Sequence, residues 1–148
     1  MKNTHIVLTT DFSAESRRAY EPVSRLAASL SARITLLAVL PELTAIPYGA
    51  ILAPAQPDPQ MPERIASAEE QMKQEVETLA SEAEVEGKVI VAESIEKAIA
   101  DFAEEQGAAF IAMSTHGRTA LRRLVMGSVT EAVLRHSVVP VIVFPRKS

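Results

Sequence analysis

Short, almost unbroken apolar runs alternate along this chain with longer stretches whose apolar residues recur at helical spacing. The first run, His5-Ile6-Val7-Leu8-Thr9-Thr10, is β-branched and nearly continuous, which predicts a strand buried on both faces. Asp11-Phe12-Ser13 ends it. Ser13 is placed to cap a helix that carries Glu15 in its first turn and an apolar line through Ala19, Val23, Leu26, Ala27 and Leu30. Pro22 inside that segment predicts a kink or a later helix start. Arg33 to Leu40 reads as the second strand. Helical spacing resumes with Ile65, Met72, Val76, Leu79 and Ala83, and Gly87 is expected to end that helix before a short third strand, Lys88 to Ala92. Ser94 caps a further helix along Ile95, Ala98, Ile99 and Phe102, closed by Gly107. A fourth strand covers Ala109 to Met113. The last helix runs through Val129, Ala132, Val133 and His136, and the last strand through Val138 to Phe144.

Strands that alternate with helices and are apolar on both faces imply parallel pairing under two helical layers. The pattern predicts a Rossmann-like α/β fold, a doubly wound five-stranded parallel sheet flanked by four helices, with residues 1–148 as one domain. Ligands of such sheets bind beyond the carboxyl ends of the strands, where the strand order reverses. If the first and fourth strands flank that reversal, Asp11 and the loop that begins at Ser114 emerge side by side. One long interruption runs from Pro41 to Pro62, where prolines 41, 47, 54, 57, 59 and 62 and the pair Tyr48-Gly49 break regular structure. Connections of this length are commonly functional or mobile. Its apolar residues Ile46, Tyr48, Ile51 and Leu52 fit three readings: cover for a site, contact with a second subunit, or a plain surface excursion.

Composition narrows the partners. The 148 residues are 47% hydrophobic and 23% charged, ordinary values for a globular chain, and the formal net charge of −4 argues against a nucleic-acid partner held through phosphates. There are no cysteines, which removes disulfides, thiolate metal sites and cysteine nucleophiles together. No apolar stretch is long enough to span a membrane, so no membrane insertion is expected and the cytoplasm is the default location.

Chemistry concentrates in one stretch, Met113-Ser114-Thr115-His116-Gly117 through Met126-Gly127-Ser128-Val129-Thr130-Glu131. Ser128 and Glu131 have the spacing of a capping box. A helix start offers unpaired N–H groups and the positive end of the helix dipole, and Gly117 and Gly127 permit close backbone approach, so the loop is suited to phosphate. It equally suits an ordinary strand-to-helix connection. At the end of the first strand, Thr10 and Asp11 face the same choice: Asp11 accepts from ribose hydroxyls or an adenine amino group, or caps the helix that follows. The absence of Gly-x-x-x-x-Gly-Lys-[Ser/Thr] excludes a P-loop, and the Asp-Phe-Ser turn disfavours a glycine-rich dinucleotide fold. His5, His116 and His136 are scattered without metal-ligand spacing. His116 has a proton shuttle or phosphate donor as its functional reading, and loop packing as its plain one. Arg118, Arg122 and Arg123 offer charge compensation for a polyphosphate or a solvated loop face.

Taken together, these motifs resemble the universal stress protein family. Its nucleotide-binding pattern, Gly-x2-Gly-x9-Gly-[Ser/Thr], is matched by Ser114-Thr115-His116-Gly117, nine residues, then Gly127-Ser128. Ile6 to Ser13 resembles the family's first strand with its aspartate, and Val139-Pro140-Val141-Ile142-Val143 its last strand. The resemblance covers essentially the whole chain. It implies the adenine nucleotide alpha hydrolase-like sandwich, a homodimer formed through the last strand, and ATP or AMP as ligand, with Mg²⁺ as an accompanying ion. By position, it implies that Asp11 beside Thr10 meets ribose or adenine and the Val39 backbone meets adenine. It places the phosphates on Gly117, Gly127, Ser128, Val129 and Thr130, flanked by His116 and Arg118, with Met113 and Ser114 as floor. Two departures stand out. Ser114 replaces the first glycine, and Glu93-Ser94-Ile95 replaces a Gly-x-Pro turn, which would bring the charge of Glu93 close to the site.

The expectation is a stress-response protein that binds ATP or AMP as a regulatory ligand, as a homodimer with room for a further protein partner. No catalytic base or dedicated metal site is assigned by the sequence, so at most slow hydrolysis is expected. The alternatives are a hydrolase or nucleotidyl transferase using His116 and the arginines, a nucleotide-free interaction module, and a cAMP binder.

Overall fold

A computed structural model describes residues 4–42, 44–45, 56–80, 83–115 and 127–145. Within them the chain runs β1 (His5–Thr9), α1 (Ala14–Arg17), α2 (Tyr20–Leu30), β2 (Arg33–Pro41), β3 (Thr44–Ala45), β4 (Gln56–Pro57), α3 (Met61–Leu79), β5 (Val85–Ala92), α4 (Ile95–Glu105), β6 (Phe110–Ser114), α5 (Ser128–His136) and β7 (Val141–Phe144). Five strands form one parallel sheet in the order β5-β2-β1-β6-β7, and β3 pairs antiparallel with β4. The order reverses at β1, which lies between β2 and β6, so the expected juxtaposition of the first and fourth long strands is met.

The two-residue period of a strand decides which face each side chain serves. Ile6, Leu8, Ile34, Leu36, Ala38 and Ala112 pack on one face under α2 and α3, against Val23, Ala27, Met72 and Leu79. Val7, Leu37, Ile111 and Met113 pack on the other, against Ile99 and Ala103 of α4 and Val133 of α5. Burial of nearly every one of these positions explains why the strands read as unbroken apolar runs rather than as alternations.

Several boundaries differ from expectation. The first helix is split: one turn, α1, is capped by Ser13, whose hydroxyl accepts from the Ser16 amide at 3.1 Å, and α2 then starts at Tyr20. Pro22 thereby falls in the first turn of α2, where a missing N–H leaves no helical bond unmade. α3 begins earlier than predicted, at Met61, with Pro62 in its first turn for the same reason. Gly87 does not end α3. It lies inside β5, where a Cβ would come within 2.5 Å of Met72 Cγ and 2.9 Å of Val76 Cγ2, so its role is close helix–strand packing. The buried carboxylate of Glu75 on α3 is met by the Arg17 guanidinium, from Nε at 2.8 Å and Nη2 at 2.5 Å.

His5, at the amino end of β1, is 3% exposed, with Nε2 2.7 Å from Thr35 Oγ1. Burial lowers its pKa below the ordinary 6.5, assisted by the charge of Arg33. Between the two values the unfolded chain takes up the proton first. Stability is therefore full above about pH 6.5 and declines as pH falls toward the lowered value. Urea midpoints measured between about pH 7.5 and about pH 5.5 should fall for the parent. His5→Gln, which cannot titrate, should show a smaller fall. Equal falls would place the proton uptake elsewhere.

Candidate functional site

The carboxyl end of β1 is shaped by hydroxyl groups. The Thr10 amide extends the ladder by donating to the Leu37 carbonyl at 2.9 Å. Its Oγ1 accepts from the Phe12 amide at 3.0 Å and from the Tyr20 hydroxyl at 2.9 Å. Burial raises the Tyr20 pKa, which keeps that donor protonated. Phe12 is held at φ 66, a left-handed conformation rare for a large side chain, with its ring packed into the core. The turn this creates presents Asp11. Its Oδ1 accepts from the Ser13 amide at 2.9 Å and from Ser16 Oγ at 2.5 Å, while the Asp11 amide donates back to Ser16 Oγ at 3.2 Å. One carboxylate oxygen is thus fixed by two donors from α1 and its cap.

The facing wall is built by β6 and α5. After β6 the Thr115 amide donates to the Phe144 carbonyl at 3.1 Å, and the Gly127 amide donates to the Thr115 carbonyl at 2.6 Å. The start of α5 is thereby tied to the end of β6. His116, Gly117 and Arg118, with the other two arginines, lie outside the described residues. The capping box is not formed. Gly127 is the N-cap, with φ −58 and ψ 151 and no side-chain bond, and Ser128 is the first helical residue. Glu131 turns instead to Arg135 at 2.7 Å, one turn on, where an i,i+4 ion pair is available. Among the described residues no side chain caps the first turn of α5, and the amides of Ser128, Val129 and Thr130, as at any helix start, have no acceptor within the helix. Thr130 Oγ1 donates to the Ser114 carbonyl at 3.0 Å and ties this turn to the end of β6.

Between the two walls lies a cavity of about 260 Å³. Thr10, Asp11, Val39, Met113, Ser114, Gly127, Ser128, Val129 and Thr130 all line it, so the structure gathers every sequence-predicted site residue within the described region. The side chains of Leu37, Val39, Ile95, Ile99 and Met113 give it an apolar wall suited to a flat ring. The turn replaced by Glu93-Ser94-Ile95 does border the site, but through Ile95: Glu93 is exposed and outside the lining. Among the described residues no group of three or more His, Asp or Glu could hold a metal ion.

Residues 2–145 match the universal stress protein family. The chain belongs to that family. A universal stress protein of Methanocaldococcus jannaschii, MJ0577, is 36% identical over 83 residues, a match covering 53% of this chain and 51% of that protein. The chain thus aligns with about half the length of that curated relative. Among solved structures, universal stress protein UspA of Lactobacillus plantarum superposes with a TM-score of 0.78 at 22% identity, covering 97% of this chain and 99% of that one. A universal stress protein of Archaeoglobus fulgidus in complex with dAMP gives 0.69 at 24% identity, covering 97% and 98%. One in complex with cAMP gives 0.60 at 21% identity, covering 97% of each chain. At these identities the likeness to the three structures is one of fold.

Five lining residues of this universal stress protein were not singled out from sequence: Thr9, which ends β1, and Ser16, Leu37, Ile95 and Ile99. The apolar three read as core, which they also are. Ser16 had a usable signal, because a second serine three residues after the cap faces the same turn. Its hydroxyl donates to the Asp11 carboxylate and accepts from the Asp11 amide, so Ser16→Ala removes two hydrogen bonds from the turn. The variant should lose about 1–3 kcal/mol by denaturant titration. A change within error would show that solvent replaces the hydroxyl.

Proposed function

We propose that this universal stress protein binds an adenine nucleotide, ATP or AMP, in the cavity at the carboxyl ends of β1 and β6. The observation that carries the reading is that one cavity is lined both by Asp11 and by the first turn of α5, whose N-cap is a glycine. Those two features suit opposite ends of one ligand. Backbone N–H groups at a helix start, reinforced by the helix dipole, favour phosphate. The Asp11 carboxylate, held by Ser13 and Ser16, favours hydroxyl or amino donors. Val39, Ile95 and Met113 offer apolar surface for the base between them. Phosphates are assigned to the amides of Ser128, Val129 and Thr130, with Gly127 allowing close approach and Ser114 beneath. His116, Gly117 and Arg118 are assigned to the same end by the sequence pattern alone. The complexes of two fold relatives with dAMP and cAMP support an adenine ligand.

In this reading the nucleotide is a regulatory ligand, with Mg²⁺ accompanying ATP, that biases one conformation or partner surface of a cytoplasmic stress-response protein. Residues 1–148 act as one domain. The homodimer forms along β7, an edge strand beside exposed Leu134 and Val138. Calorimetric titration with ATP, AMP and cAMP, each with Mg²⁺, tests the binding. Saturable binding of ATP or AMP is expected, accompanied at about 100 times Kd by roughly 2.7 kcal/mol of added stability. Absence of binding by all three nucleotides overturns the proposal.

A further inference from the structure

A second recess, of about 510 Å³, opens beside the first, and Thr10, Asp11, Val39 and Ile95 border both. It lies on the other side of Asp11, between the end of β2 and the amino-terminal half of α3. Its base is apolar, formed by Phe12, Leu40, Pro41 and Ala68. Its wall is a polar stripe along the start of α3, from the N-cap Gln60 to Ser67 and Gln71, residues seven and four apart and so on one side of the helix. These side chains are exposed, and none of them contributes to the core. Among the described residues the ionisable groups of the recess are Asp11, Glu63 and Arg64, and the guanidinium of Arg64 already faces Asp58 at 3.5 Å. Two carboxylates to one partnered guanidinium make this a poor seat for a further phosphate. An apolar floor under neutral amide and hydroxyl groups instead suits an uncharged ring bearing hydrogen-bonding groups.

We infer that the site takes adenine nucleotides extended at the ribose by an uncharged, hydrogen-bonding ring, and that the second recess receives this extension. The inference rests on the nucleotide reading of the first cavity. In that reading the ribose hydroxyls meet Asp11, one of the four residues that border both recesses. A substituent on one hydroxyl leaves the other to donate to the carboxylate, and carries its own ring over Leu40 and Ala68 toward Ser67 and Gln71. A mononucleotide fills only the first cavity. The extended ligand therefore adds buried contact without giving up the phosphate contacts at α5.

The test uses the parent protein with AMP and with 2′/3′-O-(N-methylanthraniloyl)-AMP, whose neutral fluorescent ring has the required character. The acylated nucleotide should bind about tenfold more tightly than AMP, equivalent to about 1.4 kcal/mol, with the blue-shifted emission of a ring leaving water. Ser67→Phe, at an exposed position outside the nucleotide contacts, fills the recess and should abolish the advantage while AMP affinity stays unchanged. Adenosine 3′,5′-bisphosphate should bind more weakly than AMP, and Glu63→Gln should narrow that difference. AMP binding with no advantage for the acylated form overturns the recess and leaves the nucleotide site standing. A Ser67→Phe variant that weakens both ligands alike also overturns it, by making the recess part of the mononucleotide site. Failure of both ligands to bind overturns the nucleotide reading and the extension together.

Discussion

Gly127→Glu should abolish nucleotide binding while leaving the melting temperature nearly unchanged. Gly127 lines the cavity at the amino end of α5, beside the Ser128, Val129 and Thr130 amides, which have no acceptor within the helix. Its φ of −58 and ψ of 151 are open to any L-residue, so the backbone does not resist a side chain. The bonds that hold the turn, from the Gly127 amide to Thr115 and from Glu131 to the Gly127 carbonyl, use main-chain atoms that the variant keeps. A glutamate carboxylate at a helix start is itself favourable by about 0.3–1 kcal/mol. It would occupy the seat assigned to phosphate. Two negative charges about 4 Å apart repel by roughly 4 kcal/mol near a protein surface, enough to weaken binding about a thousandfold. Gly127→Gln, of the same size without the charge, separates bulk from repulsion: its loss should be smaller and insensitive to salt. Calorimetry and thermal melting of parent, Glu and Gln variants decide the matter. A Glu variant that binds as the parent does would move the phosphate away from α5.

The sheet and its two helical layers were legible because burial on both faces writes itself into the sequence as apolar runs. Val7 and Leu8 serve opposite layers, and neither layer admits a polar residue there. The site was legible at Asp11 and at 127–130 because each stands where an apolar run or a helix begins or ends. What escaped were competitions between near-equal local options. Ser128 and Glu131 have capping-box spacing, yet Gly127 took the cap and Glu131 found Arg135, a choice worth about one hydrogen bond against one ion pair. The break between α1 and α2 is decided by Ser16 and Tyr20, whose side chains bond to Asp11 and Thr10 across the turn, and no local propensity carries that information. Gly87 was misread for the same reason. A glycine after a helical stretch looks like a stop signal, and only the helix packed across the strand shows otherwise.

That packing carries the second large effect. Gly87→Ala should destabilise the protein by about 1–3 kcal/mol, read as a lowering of Tm by about 3–10 °C. Gly87 pairs with Leu36 in the sheet, and the face it presents to α3 is taken by Met72 and Val76. The added Cβ would meet Met72 Cγ at 2.5 Å, its Sδ at 2.9 Å and Val76 Cγ2 at 2.9 Å. Met72 is 4% exposed and belongs to the core, so its thioether has little room to retreat, and Val76 is stiff about χ1. Alanine in place of glycine lowers unfolded-state entropy, a gain of about 0.4–1 kcal/mol that the clash must exceed. Because β5 pairs with β2 alone among the described strands, the cheapest relief is a shift of that edge strand, which weakens its pairing. Met72→Ala supplies the missing half of the argument. Alone it should cost about 2–5 kcal/mol by leaving a cavity. With Gly87→Ala, the new methyl group enters that cavity, so the double variant should be more stable than the sum of the single losses by about 1 kcal/mol or more. Strict additivity in urea titrations would show that α3 and β5 adjust separately, and that the glycine is not there for Met72.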